Sequence, residues 1–192
     1  MLTKLMFLVS VSCFFILCVR RDNLKIVPWK LVIMISMALL GLYFLTEAAY
    51  AMFVCMLLGA YTDSISETVY SSVTYVVGVY EILVLCLNYE KTHVFIMPMV
   101  LTIMCIFIWS YVFKLLGSGD ADVLIVCAVL GTNIGVVPWA FVGVIYMVAS
   151  CYFLVSMIIK SIRRRAFQKT GAFMPSLLLA YCSIFILSVI LG

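Results

Sequence analysis

Charge is scarce in this chain. Lys, Arg, Asp and Glu together make up 10% of its 192 residues, where a soluble domain carries about 25%. Histidine occurs once, at position 93, and no two of the eight cysteines are spaced as CxxC. Each shortage removes a class of protein. So little charge, with 67% hydrophobic residues and a mean hydropathy of +1.30, excludes a water-soluble domain. The cysteines all lie in apolar runs and read as small apolar fillers, not as a zinc site or disulfide framework, so neither a metal nor any other cofactor is expected. The net charge of +4 has no basic patch interleaved with aromatics behind it. No nucleic-acid partner is expected; the surroundings implied are the lipid bilayer. Lipid admits only helices or a closed barrel. The short alternating segments of a barrel are missing, so the expectation is an all-α polytopic membrane protein.

What the sequence does have is long apolar runs. Crossing a bilayer core of about 30 Å takes about 20 residues. Runs at 1–19, 29–46, 94–117 and 172–191 fit. The first has no small-x-small cleavage site before Arg20, Arg21 and Asp22, so it reads as a helix that stays rather than a signal peptide. The uncharged stretch 123–159 is too long for one span. "GTNIGVVP" at 131–138 breaks it with Gly, Asn and Pro into helices over about 121–133 and 138–160. The stretch 47–93 holds two further apolar runs, about 47–61 and 69–89, separated by "TDSISE". The chain is expected to form one membrane domain over 1–192, with 47–93 as a possible inserted helical hairpin.

Ten of the twelve Lys and Arg fall in three loops: around 20–30, at Lys114, and at 160–169. If all three are cytoplasmic, the positive-inside rule is satisfied. The number of crossings between 29 and 117 is then even. The stretch 47–93 crosses twice, giving eight helices, or not at all, giving six; eight is favoured because both of its runs are strongly apolar. Under either count both chain ends lie outside, in a multi-pass protein of the cytoplasmic membrane.

Against this background the carboxylates stand out. "KLLGSGDADVLIV" at 114–126 places Asp120 and Asp122 at the cytoplasmic mouth of a helix. "RRDNLKIVPWKLVI" places Asp22 at the same face, after the first helix. Two aspartates held close together do not both ionise readily, so one keeps its proton near neutral pH. The charged one can then take a proton from water while the neutral one hydrogen-bonds a peptide carbonyl and helps protonate the leaving amine. Gly117 and Gly119 would let a substrate strand approach the backbone beside Asp120. A plainer reading stands beside this one. Asp120 could cap the helix that follows it, and Asp22 could neutralise Arg20 or Arg21.

Three stretches together resemble the type IV prepilin leader peptidases, which belong to the GxGD aspartic peptidases, with the archaeal preflagellin peptidases as relatives. "RRDNLKIVPWKLVI" looks like the family's first-aspartate segment. "LLGSGDADVLIVCAVLG" looks like the GxGD box and its small-residue helix. "KTGAFMPSLLLAY" is similar to the Pro-bearing start of the last helix. The resemblance implies an aspartic endopeptidase whose catalytic pair is Asp22 and Asp120. Its partners would be pilin-like precursors with a short basic leader, a glycine before the scissile bond and an apolar helix after it. The chain departs from the pattern where Asp122 takes the place of a common Lys. Asp122 is then either a carboxylate favoured by the helix start or a tuner of Asp120 through like charge. The Asp22–Pro28 spacing is about one residue short. No N-terminal domain with paired cysteines is present in the sequence, so product methylation is not expected.

Other residues read more plainly. His93 is interfacial. Trp29, Trp109 and Trp139 sit near helix ends, as interfacial belts do, and Arg163, Arg164 and Arg165 anchor a loop at anionic lipid. Glu81 lies inside an apolar run, where it is either protonated or hydrogen-bonded to Tyr or Ser on a neighbour. Its presence, with Asp120 and Asp122, keeps a second class open: a small ion- or proton-coupled transporter, although no inverted repeat is visible. A noncatalytic membrane scaffold is the third.

Overall fold

A computed structural model describes residues 2–21, 26–66, 71–114, 116–164 and 173–191. These are helical almost throughout, with no strand among the described residues. The helices are α1 (Leu2–Arg21), α2 (Pro28–Phe44), α3 (Glu47–Ser66), α4 (Ser71–Leu87), α5 (Tyr89–Phe107), α6 (Ser118–Asn133), α7 (Pro138–Arg164) and α8 (Met174–Leu191). A π-helical turn, Ile108–Val112, extends α5. Among the described residues four segments are long and apolar enough to cross a membrane: Thr3–Arg21, Glu47–Ile65, Tyr89–Val112 and Pro138–Ile162. Three shorter helices, α2, α4 and α8, are also apolar.

Several breaks have a local cause. Pro28 and Pro138 stand at the first helical position, where their missing N–H is no loss. Gly135 takes φ +75° in the α6–α7 turn, a conformation that side-chain-bearing residues rarely adopt. Pro98 lies inside α5 without ending it, and the Thr102 hydroxyl donates to its carbonyl at 2.7 Å. The helix expected over 94–117 therefore starts earlier, at Tyr89, and regular structure ends at Val112, after a π turn.

Two helices form the centre. α6 is buried almost continuously from Ala121 to Thr132. Along α3, Ala49, Tyr50, Met52 and Met56 are wholly buried. α3 packs against α1, α2, α4, α6 and α8; α6 packs against α3, α4, α5 and α7. Both central helices are rich in small residues: Ala48, Ala49, Ala51, Gly59 and Ala60 on α3, and Gly119, Ala121, Ala128 and Gly131 on α6. Small side chains let helix backbones approach closely, the main source of packing where lipid removes the hydrophobic drive between helices. The surrounding helices turn Leu, Ile, Val and Phe outward; Leu17, Ile33, Leu83, Met97 and Leu154 are all more than half exposed or nearly so. In water such a surface would aggregate; in a bilayer it faces a solvent of its own kind. Trp29, Trp109 and Trp139 are exposed, at or close to helix ends.

Candidate functional site

Four chain segments meet at one end of the bundle. Tyr61, near the end of α3, receives the Val27 N–H on its hydroxyl at 3.1 Å, just ahead of α2. Lys30, in the first turn of α2, donates to the Ser64 carbonyl at 3.2 Å and to its hydroxyl at 3.1 Å. The first N–H of α8, on Met174, donates to Asp63 Oδ2 at 2.9 Å. The first turn of α6 brings Asp120 into the field of Asp63. The opposite end is tied separately: Lys4 donates to the Leu42 carbonyl at 3.1 Å, and the Thr3 hydroxyl donates to Glu47.

Asp120 is half-buried and belongs to the loop end of α6, outside every segment apolar enough to cross a membrane. Gly117 is the N-cap, with extended φ and ψ, and no side chain caps the helix. The capping role open to Asp120 in the sequence is therefore not the one it takes: it is the third helical residue, not the cap. Its carboxylate folds back toward Gly117, where an added Cβ would stand 3.1 Å from Asp120 Oδ2. Glycine at 117 thus serves close approach and not a left-handed turn. Lys114 does take a left-handed conformation, with φ 52°, in the tight passage from the π turn into α6. Burial, and after it the negative charge of Asp63, pushes the Asp120 carboxyl up to about 6.

Asp63 is the acid that sequence reasoning passed over. "TDSISE" reads only as a polar break between two apolar runs. In the fold Asp63 is buried, 7% exposed, and its carboxylate meets the positive end of the α8 dipole. The arrival of α8, 111 residues later, supplies a partner for that buried acid. Asp122 is also 7% exposed. It faces Tyr75 at the start of α4.

Asp22 lies outside the described residues; its described flanks, Arg21 and Ile26–Val27, close α1 and lead into α2 at the end that holds Asp63 and Asp120. Gly119 sits in the first turn of α6 beside Asp120. Of the remaining singled-out residues, His93 is exposed, with its Nδ1 2.9 Å from the Glu90 carbonyl oxygen. Arg163 and Arg164 end α7, and Arg165 lies outside the described residues. Glu81 is wholly buried, and its partner is Asn133 of α6, not a Tyr or Ser.

An apolar groove of about 600 Å³ runs between α5 and α7 over α6. Met97 and Trp139 stand at one end and Leu116 at the other, with Leu124 and Gly143 between. Leu116 directly precedes Gly117, so the groove opens toward the turn that carries Asp120. Among the described residues no three His, Cys, Asp or Glu gather as a metal site. Compared with known proteins, the chain matches no family model, no curated protein and no solved structure.

Proposed function

We propose that this chain is a membrane-embedded aspartic endopeptidase of the prepilin leader peptidase type, with Asp120 and Asp22 as its catalytic pair. The observation that carries the reading is the state of Asp120. It is a half-buried carboxyl at a helix mouth, pushed up to about 6 by burial and by Asp63, at the end of the bundle where α2 begins. A carboxyl of that kind takes up a proton more readily than an ordinary aspartate, which suits it to give or take one during peptide hydrolysis. In this mechanism Asp22, ionised, takes a proton from water. Asp120, neutral, hydrogen-bonds the scissile carbonyl and then protonates the leaving amine.

The likeness of "GSGD" and "RRDNLKIVP" to the family's two aspartate segments supplies the substrate class: a pilin-like precursor with a short basic leader and an apolar helix after the cut. The groove that ends at Leu116 supports this. An apolar helix lying in the bilayer between α5 and α7 would deliver its end to the turn bearing Asp120. The same reading takes all eight helices as crossings, with Lys30, Lys114 and Lys160 on the cytoplasmic side of the cell's inner membrane and both chain ends on the other.

The test is cleavage of a pilin-like precursor by the purified chain in lipid nanodiscs. Asp22→Asn and Asp120→Asn, made separately, should each lower cleavage by about 10²–10⁴-fold while the helical circular dichroism stays intact. Full activity in either variant rejects the assignment of that residue. Ion flux through the chain without cleavage would transfer the protein to the transporter class.

A further inference from the structure

The far end of α6 holds an acid of another kind. Glu81 projects from α4 and is 0% exposed. The Asn133 amide nitrogen donates to Glu81 Oε2 at 2.7 Å and to the Glu81 backbone carbonyl at 3.0 Å. Two acceptors on one atom identify it as the nitrogen, so the other end of the amide is oxygen. That oxygen, Asn133 Oδ1, is buried and has no donor. Glu81 Oε1 is in the same condition. Two orphaned acceptors thus flank a single 2.7 Å hydrogen bond. An ionised carboxylate cannot donate, and an amide oxygen only accepts. With Glu81 ionised, both atoms carry the full cost of burial without a partner.

Among the described residues no cationic side chain relieves them. The titratable groups facing Glu81 are Tyr80 on its own helix, Cys127 on α6 and Tyr181 on α8. The Tyr181 hydroxyl is already committed to the Ala49 carbonyl at 2.7 Å. Among the described residues no Lys, Arg or His pairs with Glu81, and no three ligand groups gather for a metal. A hydrogen on Glu81 Oε1 directed at Asn133 Oδ1 would give both atoms a partner.

We propose that Glu81 and Asn133 form a dry proton-binding site. One hydrogen sits between Glu81 Oε1 and Asn133 Oδ1 and closes a carboxylic acid–carboxamide ring that fastens α4 to the far end of α6. The same two helices meet at the near end through Tyr75 and Asp122. α4 is therefore a splint along α6, and it holds in register the helix whose first turn carries Asp120. The proton is a structural ligand and does not travel. The inference stands whether or not the chain is a peptidase.

Infrared spectroscopy of the full chain in nanodiscs, with glutamate carboxyls isotopically labelled, tests it. At neutral pH a protonated carboxyl band should shift with the glutamate label and vanish in Glu81→Gln; the label separates it from any Asp120 signal. Glu81→Gln should melt close to wild type, because its amide donates where the acid O–H did. Glu81→Ala and Asn133→Leu should each melt lower by about 4–10 °C. The proposal is overturned if the wild-type chain lacks the protonated glutamate band. It is equally overturned if sodium or potassium raises the melting temperature of wild type but not of Glu81→Gln, since an alkali cation would then fill the site. The wild-type spectrum decides the matter even if a variant fails to fold.

Discussion

The two ends of α6 set the same functional group in opposite surroundings. At one end Asp120 is partly open, sits near a second carboxylate and rests in a turn made narrow by Gly117. At the other, about 20 Å away along the helix, Glu81 is sealed, and an amide occupies one of its oxygens. Access and neighbours, not the identity of the acid, divide chemistry from architecture. A carboxyl that meets both water and another negative charge can change its protonation state. One closed off with a single neutral partner is fixed in place.

Substituting each acid by its amide gives the largest contrast. Asp120→Asn should lose cleavage by about 10²–10⁴-fold and yet gain stability at neutral pH. The sign follows from linkage. The folded-state value of about 6 lies above the usual aspartate value of about 3.9. The folded chain therefore holds that proton more tightly than the unfolded chain. The stability it contributes is complete below about pH 4 and is lost as pH rises through about 6. Wild type should melt progressively lower across that window, and Asp120→Asn should not. The gain at neutral pH should be on the order of 1–3 kcal/mol, read by chemical denaturation in detergent.

Asp63→Ala comes next. It removes the carboxylate that meets the first N–H of α8 and should cost about 1–2 kcal/mol. Asp63→Asn keeps an oxygen for that N–H but removes the charge. Its melting profile should lose part of the pH dependence near 6, and an unchanged profile would show that Asp63 does not act on Asp120. Gly117→Val tests the narrow turn. A side chain at that Cβ meets Asp120 Oδ2 at 3.1 Å, and cleavage should fall by about tenfold with little change in melting. The smallest effect is expected in the groove. Gly143→Leu has room, since nothing lies within 4 Å of an added Cβ. Filling the groove should raise KM a few-fold (about 1 kcal/mol of lost apolar contact) and leave kcat alone. No change would mean that only lipid occupies it.

Much of the helical framework was legible from apolar runs and their Pro and Gly breaks. The run expected over 138–160 is α7, and the one over 121–133 is most of α6. Which helices would be central was harder to read, because apolarity is nearly uniform in a membrane chain. The discriminating signal was the small-residue content of α3 and α6. Asp63 and Glu81 were illegible for one shared reason. Each depends on a partner far along the chain, Met174 and Asn133, and composition does not say who meets whom. The role of Asp120 hinged on a three-residue choice of helix start. "GSGD" alone left open whether the acid caps the helix or stands inside its first turn, and the observed cap at Gly117 resolves that local question.

The most direct measurement compares Asp120→Asn and Glu81→Gln in one precursor-cleavage assay, at equal amounts of folded protein in nanodiscs. The account predicts no detectable product from the first and cleavage within a few-fold of wild type (under about 1 kcal/mol in activation terms) from the second. Product from Asp120→Asn at the wild-type rate, or silence from a folded Glu81→Gln, would contradict the division of labour between the two ends of α6.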